Sequence, residues 1–188
     1  FHLVNFLTGN LILTLKIPGG LYKMVELISF KGITYNKEKI KKLDDVMSPP
    51  YDIISPLMQD NLYNKHPNNF VRLILGKHHP GDSEKNNRYT RAKELYQSWI
   101  ENSVFIQDEK PAIYAYKIKL KIKNQEKTMN GFFTLLKLDP EYKTVKAHEK
   151  TLSKPKADRL NLLRTCEANL EPIQLLYIDK EDVIRKRI

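Results

Sequence analysis

The sequence predicts an α+β domain with a mixed sheet and flanking helices. Three observations carry that expectation. Residues 112–138 alternate apolar and polar side chains about a central polar turn, the pattern of a half-buried hairpin. Tyr89, Ala92, Leu95, Tyr96, Trp99 and Ile100 recur at helical spacing, so residues 84–102 form an amphipathic helix. Ser55-Pro56 reads as a helix start, with serine as cap and proline at the first helical position, and Ser153-Lys154-Pro155 reads as another helix start.

The other elements follow in chain order. Residues 1–15 are largely apolar, but the run is broken by Thr8, Gly9 and Asn10 and closed by Lys16 and Pro18. It is shorter than the roughly 20 clean apolar residues of a membrane span and lacks the basic front and small-residue cleavage site of a secretory signal. Gly19-Gly20 can be encoded by a ribosome-binding-like GGAGGN ahead of Met24. The expectation is a non-native leader over residues 1–23 and an α+β domain over residues 24–188. Without Lys16 and Lys23 the formal charge of +10 becomes +8.

Val25–Tyr35 reads as a first strand, and Lys37–Asp45 as a short charged connection. Ser48-Pro49-Pro50-Tyr51-Asp52 must be extended or turned, because each proline fixes its own φ and restricts the residue before it. The helix from Ser55 runs to about Lys65 and stops before Pro67. Phe70–Leu75 reads as a short strand ended by Gly76, and residues 77–87 as a polar loop. After the hairpin, Asp139-Pro140 opens a loop leading to His148. Leu160, Leu163 and Cys166 are the expected buried stripe of the helix from Ser153. Pro172–Ile178 is a last strand, and residues 180–188 begin a helix that is cut off.

With 41% hydrophobic and 29% charged residues among 188, the chain can bury a core and is not a disordered polyelectrolyte. A single cysteine, Cys166, excludes a disulfide framework and a cysteine-based metal site, and fits a cytoplasmic setting. The positive balance favours anionic partners, whether phosphorylated small molecules or nucleic acid. There is no Walker A loop, no dinucleotide-binding glycine motif and no protein-kinase signature.

His148-Glu149-Lys150-Thr151 places a base, an acid, a cation and a hydroxyl in succession within a loop. A zinc-protease reading needs a second histidine four residues later, and that position is Leu152. Phosphoryl transfer needs cations and backbone donors around phosphate, carboxylates for metal, and a base near the attacking hydroxyl. Lys150, Lys154, Arg159 and Arg164 supply cations, Glu149 and Asp158 carboxylates. The competing interpretation is a solvated, charged helix start with an Asp158-Arg159 surface pair. Pro49-Pro50-Tyr51-Asp52 is a second candidate, either presenting Tyr51 and Asp52 to a substrate or forming a tight turn capped by Asp52. Arg72, after Asn68-Asn69-Phe70, is a third.

Several patches occur together and in order: Pro49-Pro50-Tyr51-Asp52, Asn68-Asn69-Phe70 with Arg72, Tyr89 with Ala92 and Trp99, Gly131-Phe132, His148-Glu149-Lys150-Thr151, Asp158-Arg159-Leu160, and Ala168-Asn169 with Pro172-Ile173. Over about residues 25–180 this resembles a prokaryotic family of unknown function that is loosely described as similar to the chromosome-partition protein ParB. Its members are considerably longer, so the chain corresponds to their N-terminal half. The resemblance implies a ParB/sulfiredoxin-like fold and a link to free serine kinases, which use a nucleotide or pyrophosphate.

Under that implication the activity is phosphotransfer to a small hydroxyl substrate, free L-serine above all, from ATP, ADP or pyrophosphate with Mg2+. Glu149 is the base, with His148 as the alternative, and Asp158 assists magnesium or orients an arginine. Lys150, Thr151, Arg159 and Arg164 hold phosphate, while Tyr51, Asp52 and Arg72 face the substrate. The group's acidic-Arg-Arg phosphate motif is not present as such. The rival class is a ParB-like nucleic-acid-binding protein without catalytic activity. No membrane association is expected, and the sequence specifies neither a resident metal nor an oligomeric state.

Overall fold

The hairpin expected at residues 112–138 closes on a two-residue turn. In the computed structural model, which describes residues 4–7, 11–16, 22–146 and 152–177 and side chains from residue 25 onward, Lys123 and Asn124 have φ of 47° and 63°. Positive φ at both central residues is the turn geometry whose twist matches paired strands. With β1 to β5 at Val4–Leu7, Leu11–Lys16, Tyr22–Ile28, Ile33–Tyr35 and Phe105–Gln107, the hairpin strands are β6 (Ile113–Ile122) and β7 (Gln125–Phe133), and β8 is Leu135–Leu136. The turn thus lies one residue earlier than the Asn124–Glu126 expected. Asn124 tolerates the left-handed region well, and Gln125 already pairs with Ile122.

The architecture is α+β. In place of the mixed sheet expected, the described strands make three small sheets: β1-β6-β7, β2-β3-β8 and β4-β5. The β1-β6, β2-β3, β3-β8 and β6-β7 pairs are antiparallel. The expected strand over Val25–Tyr35 is divided between β3 and β4, with Phe30 bridging Ala112 alone between them.

The chain falls into two compact units, residues 1–32, 107–149 and 174–188, and residues 33–106 and 150–173. In the first, Ile113, Tyr114 and Ala115 are buried at the start of β6, and the strand becomes solvated toward its tip. The Tyr114 hydroxyl accepts from the Gly32 amide at 2.6 Å and donates to Asp108 Oδ2 at 2.6 Å. Burial pushes its phenol up to about 12, so it acts as a neutral bridge. A side chain on Gly32 would come within 2.6 Å of the Tyr114 ring, so this approach needs glycine.

Among the described residues the second unit has the helices α1 (Leu43–Val46), α2 (Pro56–Lys65), α3 (Val71–Ile74), α4 (Arg88–Glu101) and α5 (Ser153–Cys166). Helix α4 starts in a reciprocal cap: Asn87 Oδ1 accepts from the Tyr89 and Thr90 amides, and Thr90 Oγ1 accepts from the Asn87 amide. Its Trp99 joins Leu73 and Phe105 in one core, ringed by Tyr35, Phe70, Leu95, Tyr96, Val104 and Leu170. Ala92 joins Leu162 and Cys166 in another, against Tyr89, Ala168 and Leu170. Helix α2 has the expected serine cap, with Ser55 Oγ accepting from the Met58 amide at 3.2 Å.

Three further expectations are corrected. Phe70–Leu75 is a helical turn, not a strand. Asn69 Oδ1 accepts from the Val71 amide at 3.1 Å, while its Nδ2 donates to the Asp45 and Met47 carbonyls, and this fully buried knot starts the turn. A short apolar run carries no period with which to tell the two apart. In α5 the buried residues are Leu162 and Cys166, whereas Leu160 and Leu163 are 39% and 45% exposed. The docking face continues at helical spacing into Asp158 and Arg159, so its polar half hid the stripe. Residues 172–177 are not a strand: Ile173 and Leu176 are 85% and 90% exposed, and Pro172 lacks an amide donor. Ile178 and residues 180–188 lie outside the described residues. No helix among the described residues is long and apolar enough to cross a membrane.

Candidate functional site

The first turn of α4 puts Arg88 against the positive end of the helix dipole, an unfavourable place for a cation. Its compensation comes from α5. Asp158 Oδ1 accepts a hydrogen bond from Arg88 Nη2 and another from the Tyr89 hydroxyl at 2.5 Å. Asp158 Oδ2 accepts from Arg159, through Nε at 3.1 Å and through Nη2. Arg159 Nη1 donates to Glu171, and Nη2 donates to the Ile74 carbonyl at 2.9 Å. The Arg159 guanidinium stacks 3.9 Å from the Tyr51 ring centroid. Tyr51, from a 3-10 turn over Tyr51–Ile53, thus meets α5, whose Asp158 and Arg159 reach α4 and α3.

The charged side chains are mostly buried, with exposures of 18% for Arg88, 15% for Asp158, 21% for Arg159 and 24% for Glu171. Burial by itself pushes the Asp158 carboxyl up. The hydrogen bonds from Tyr89 and Arg159 and the charges of Arg159 and Arg88 outweigh it and hold the group below the usual carboxylate range. Asp158 is therefore an ionised anchor, not a proton acceptor at neutral pH. Burial disfavours charge on Arg159, but Asp158 and Glu171 more than offset that.

The two arginines differ in spare capacity. A guanidinium has five N–H donors. Arg159 directs four of them at Asp158, Glu171 and the Ile74 carbonyl, and acts as a strut. Arg88 directs two at Tyr89 and Asp158, and its buried Nε has no hydrogen-bond partner. Arg88 also lines a cavity of about 220 Å³, together with Ile54, Ser55, Pro56, Gln59, Leu75, Gly76 and His78. The loop carrying His78 is pinned to α4 by Arg91, which bonds Asp82, Asn86 and the Lys77 carbonyl. The Arg91 hydrogen bond holds the Asp82 carboxyl down at about 2.

Of the residues expected at the site, Tyr51, Asp158 and Arg159 are brought together. Arg164 is exposed, five residues beyond Arg159 and so roughly 140° around the helix from it. Asp52 is exposed on the 3-10 turn. Arg72 stacks on Tyr63, 4.2 Å from its ring centroid, and donates to the Tyr63 carbonyl at 2.7 Å. His148, Glu149, Lys150 and Thr151 lie outside the described residues. Asp139, at the start of the loop toward them, accepts from the Thr144 hydroxyl and amide and from the Val145 amide. These bonds hold its carboxyl down at about 2.

Arg88 and Glu171 were not expected from the sequence. An arginine in the first turn of a capped helix was the available signal for Arg88, since that position calls for a carboxylate. Glu171 gave none. Among the described residues no group of three or more His, Cys, Asp or Glu could hold a metal ion. Asp158 does not fit a magnesium ligand here, because arginine and tyrosine donors take both carboxylate oxygens.

A family model described as "Protein of unknown function (DUF1015)" matches residues 27–188. No curated protein and no solved structure matches the chain.

Proposed function

We propose, for a chain that belongs to the DUF1015 family of proteins of unknown function, phosphotransfer to a small hydroxyl substrate, most specifically free L-serine. One observation carries the reading. Tyr51 and the Asp158-Arg159 pair, far apart in sequence, converge with Arg88 on a mostly buried, charge-balanced cluster of two arginines and two carboxylates, and Arg88 also lines a small cavity. Oxyanion chemistry draws on such prepositioned guanidinium groups. Kinship with ParB/sulfiredoxin-like serine kinases is part of the proposal.

In the proposed reaction the serine hydroxyl loses its proton to Glu149, with His148 as the alternative base. The hydroxyl oxygen attacks the terminal phosphorus of the donor, and the bridging P–O bond breaks. ATP then leaves as ADP, ADP as AMP, or pyrophosphate as phosphate. Lys150 and Thr151 meet the transferring group, and Arg88, steadied by Asp158 and the Arg159 strut, adds positive field. Magnesium, when bound, neutralises donor phosphate charge. Asp158 has no part in holding it.

The test is incubation of the natural protein with L-serine, magnesium and, in turn, ATP, ADP or pyrophosphate. O-phosphoserine is the expected product, and its absence with all three donors refutes the reading. A second reading, nucleic-acid binding, is favoured by Lys117, Lys119 and Lys121, which project from one exposed face of β6. DNA affinity that falls steeply with salt, without phosphotransfer, decides for it.

A further inference from the structure

We infer that the cavity beside Arg88 is a binding pocket for a small oxyanion, a carboxylate or phosphate group, and that Arg88 is its anchoring residue. The pocket has an apolar wall from Ile54, Pro56 and Leu75 and a polar side from Gln59, His78 and Arg88. Its volume of about 220 Å³ lies below the roughly 300–1,000 Å³ of pockets for drug-sized ligands. A free amino acid or an inorganic phosphate suits that size, and a whole nucleotide does not.

The polar side is unevenly available. Gln59 donates its amide to the Leu75 carbonyl at 2.6 Å and so frames the pocket. Asp158 and the Tyr89 hydroxyl take two of the five Arg88 donors, the buried Nε has no partner, and the Nη1 donors make no hydrogen bond among the described residues. Gly76 allows this placement: a Cβ there would lie 3.2 Å from both the Arg88 Cβ and its carbonyl oxygen, so the two backbones approach closely. His78 stands at the rim with its side chain 73% exposed and Nδ1 3.6 Å from Asp82. No carboxylate among the described residues lines the cavity. Arg88, with donors to spare beyond Asp158 and Tyr89, lines that chamber, and such a site selects a small negative group.

The identification of the occupant as the carboxylate of the acceptor amino acid rests on the phosphotransfer reading; the oxyanion chemistry rests on the geometry alone. The experiment separates the two. The natural protein is titrated with L-serine, glycine, inorganic phosphate and AMP, with the Gly76 amide resonance as the local reporter. Saturable binding of an amino acid or of phosphate, with a shift at Gly76, is expected, and AMP adds nothing to the phosphate affinity. Serine and glycine binding alike marks a carboxylate subsite, and phosphate alone marks the donor end. Arg88→Lys keeps the charge but loses the fork, and should weaken binding about 10-fold or more. His78→Glu changes only an exposed rim residue and should weaken it about threefold or more. Failure of every anion to bind saturably, or unchanged affinity in both variants, overturns the assignment. Anion binding without turnover keeps the pocket and removes the reaction.

Discussion

Replacing Asp158 by Asn removes the one charge that faces both Arg88 and Arg159. The amide is nearly isosteric, so packing is conserved and the electrostatic loss is isolated. Two guanidinium groups, each about four-fifths buried, then lose their shared carboxylate; Arg159 keeps Glu171, and Arg88 keeps no carboxylate partner among the described residues. Removing one member of a fully buried ion pair costs about 3–5 kcal/mol, and a hydrogen bond to a charged group contributes about 1.5–3 kcal/mol. Because these side chains keep 15–21% exposure, the lower end applies, about 3 kcal/mol. With a urea slope of about 1–3 kcal/mol/M, the unfolding midpoint falls by about 1–3 M. The control is Lys119→Ala, which breaks the exposed Lys119–Glu126 pair at 3.3 Å and should cost at most about 0.5 kcal/mol. The double variant Asp158→Leu with Arg88→Met should be less destabilised than Asp158→Leu alone, because it leaves fewer orphaned charges. A midpoint for Asp158→Asn within error of the Lys119→Ala value refutes the claim that this cluster is desolvated and coupled.

The same carboxylate sets an acid dependence. Its folded-state pKa is lowered, so its stabilisation is complete above the unfolded value of about 4 and is lost as pH falls below it. Urea midpoints of wild type and Asp158→Asn should therefore converge in acid; parallel curves contradict the shift. Asn69→Ala strands the Asp45 and Met47 carbonyls and the Val71 amide, and should cost about 2–3 kcal/mol by urea unfolding. Gly32→Ala should destabilise more than Gly131→Ala. The Tyr114 ring in the way is buried and hydrogen-bonded at both sides, whereas Tyr116 beside Gly131 is half-buried and can swing aside; thermal melts rank the two. Glu149→Gln should abolish O-phosphoserine formation with an unchanged melting temperature, and retained turnover removes Glu149 as the base.

Much of the fold was legible because its signals are local. Asn87 with Thr90, Ser55-Pro56 and the alternation along residues 113–122 each declare an element within a few residues. Phe70–Leu75 was misread because its conformation is decided by Asn69, whose partners lie more than twenty residues away in α1 and the residue after it. The α5 stripe was misread for a related reason: Asp158 and Arg159 occupy buried positions that a hydrophobic count passes over. At the site, Tyr51, Asp158 and Arg159 could be singled out as types, but not their convergence. Asp158 meets Arg88 across 70 residues, and no spacing rule reaches that far.

The most direct measurement of the central claim is phosphorus NMR of the natural protein with L-serine, magnesium and each donor, run beside an Arg88→Gln variant of confirmed fold. An O-phosphoserine resonance should grow with one of ATP, ADP or pyrophosphate in the wild type, and at least 10-fold more slowly in the variant, about 1.4 kcal/mol of lost transition-state stabilisation. No O-phosphoserine with any donor, or equal rates in the two proteins, contradicts the claim.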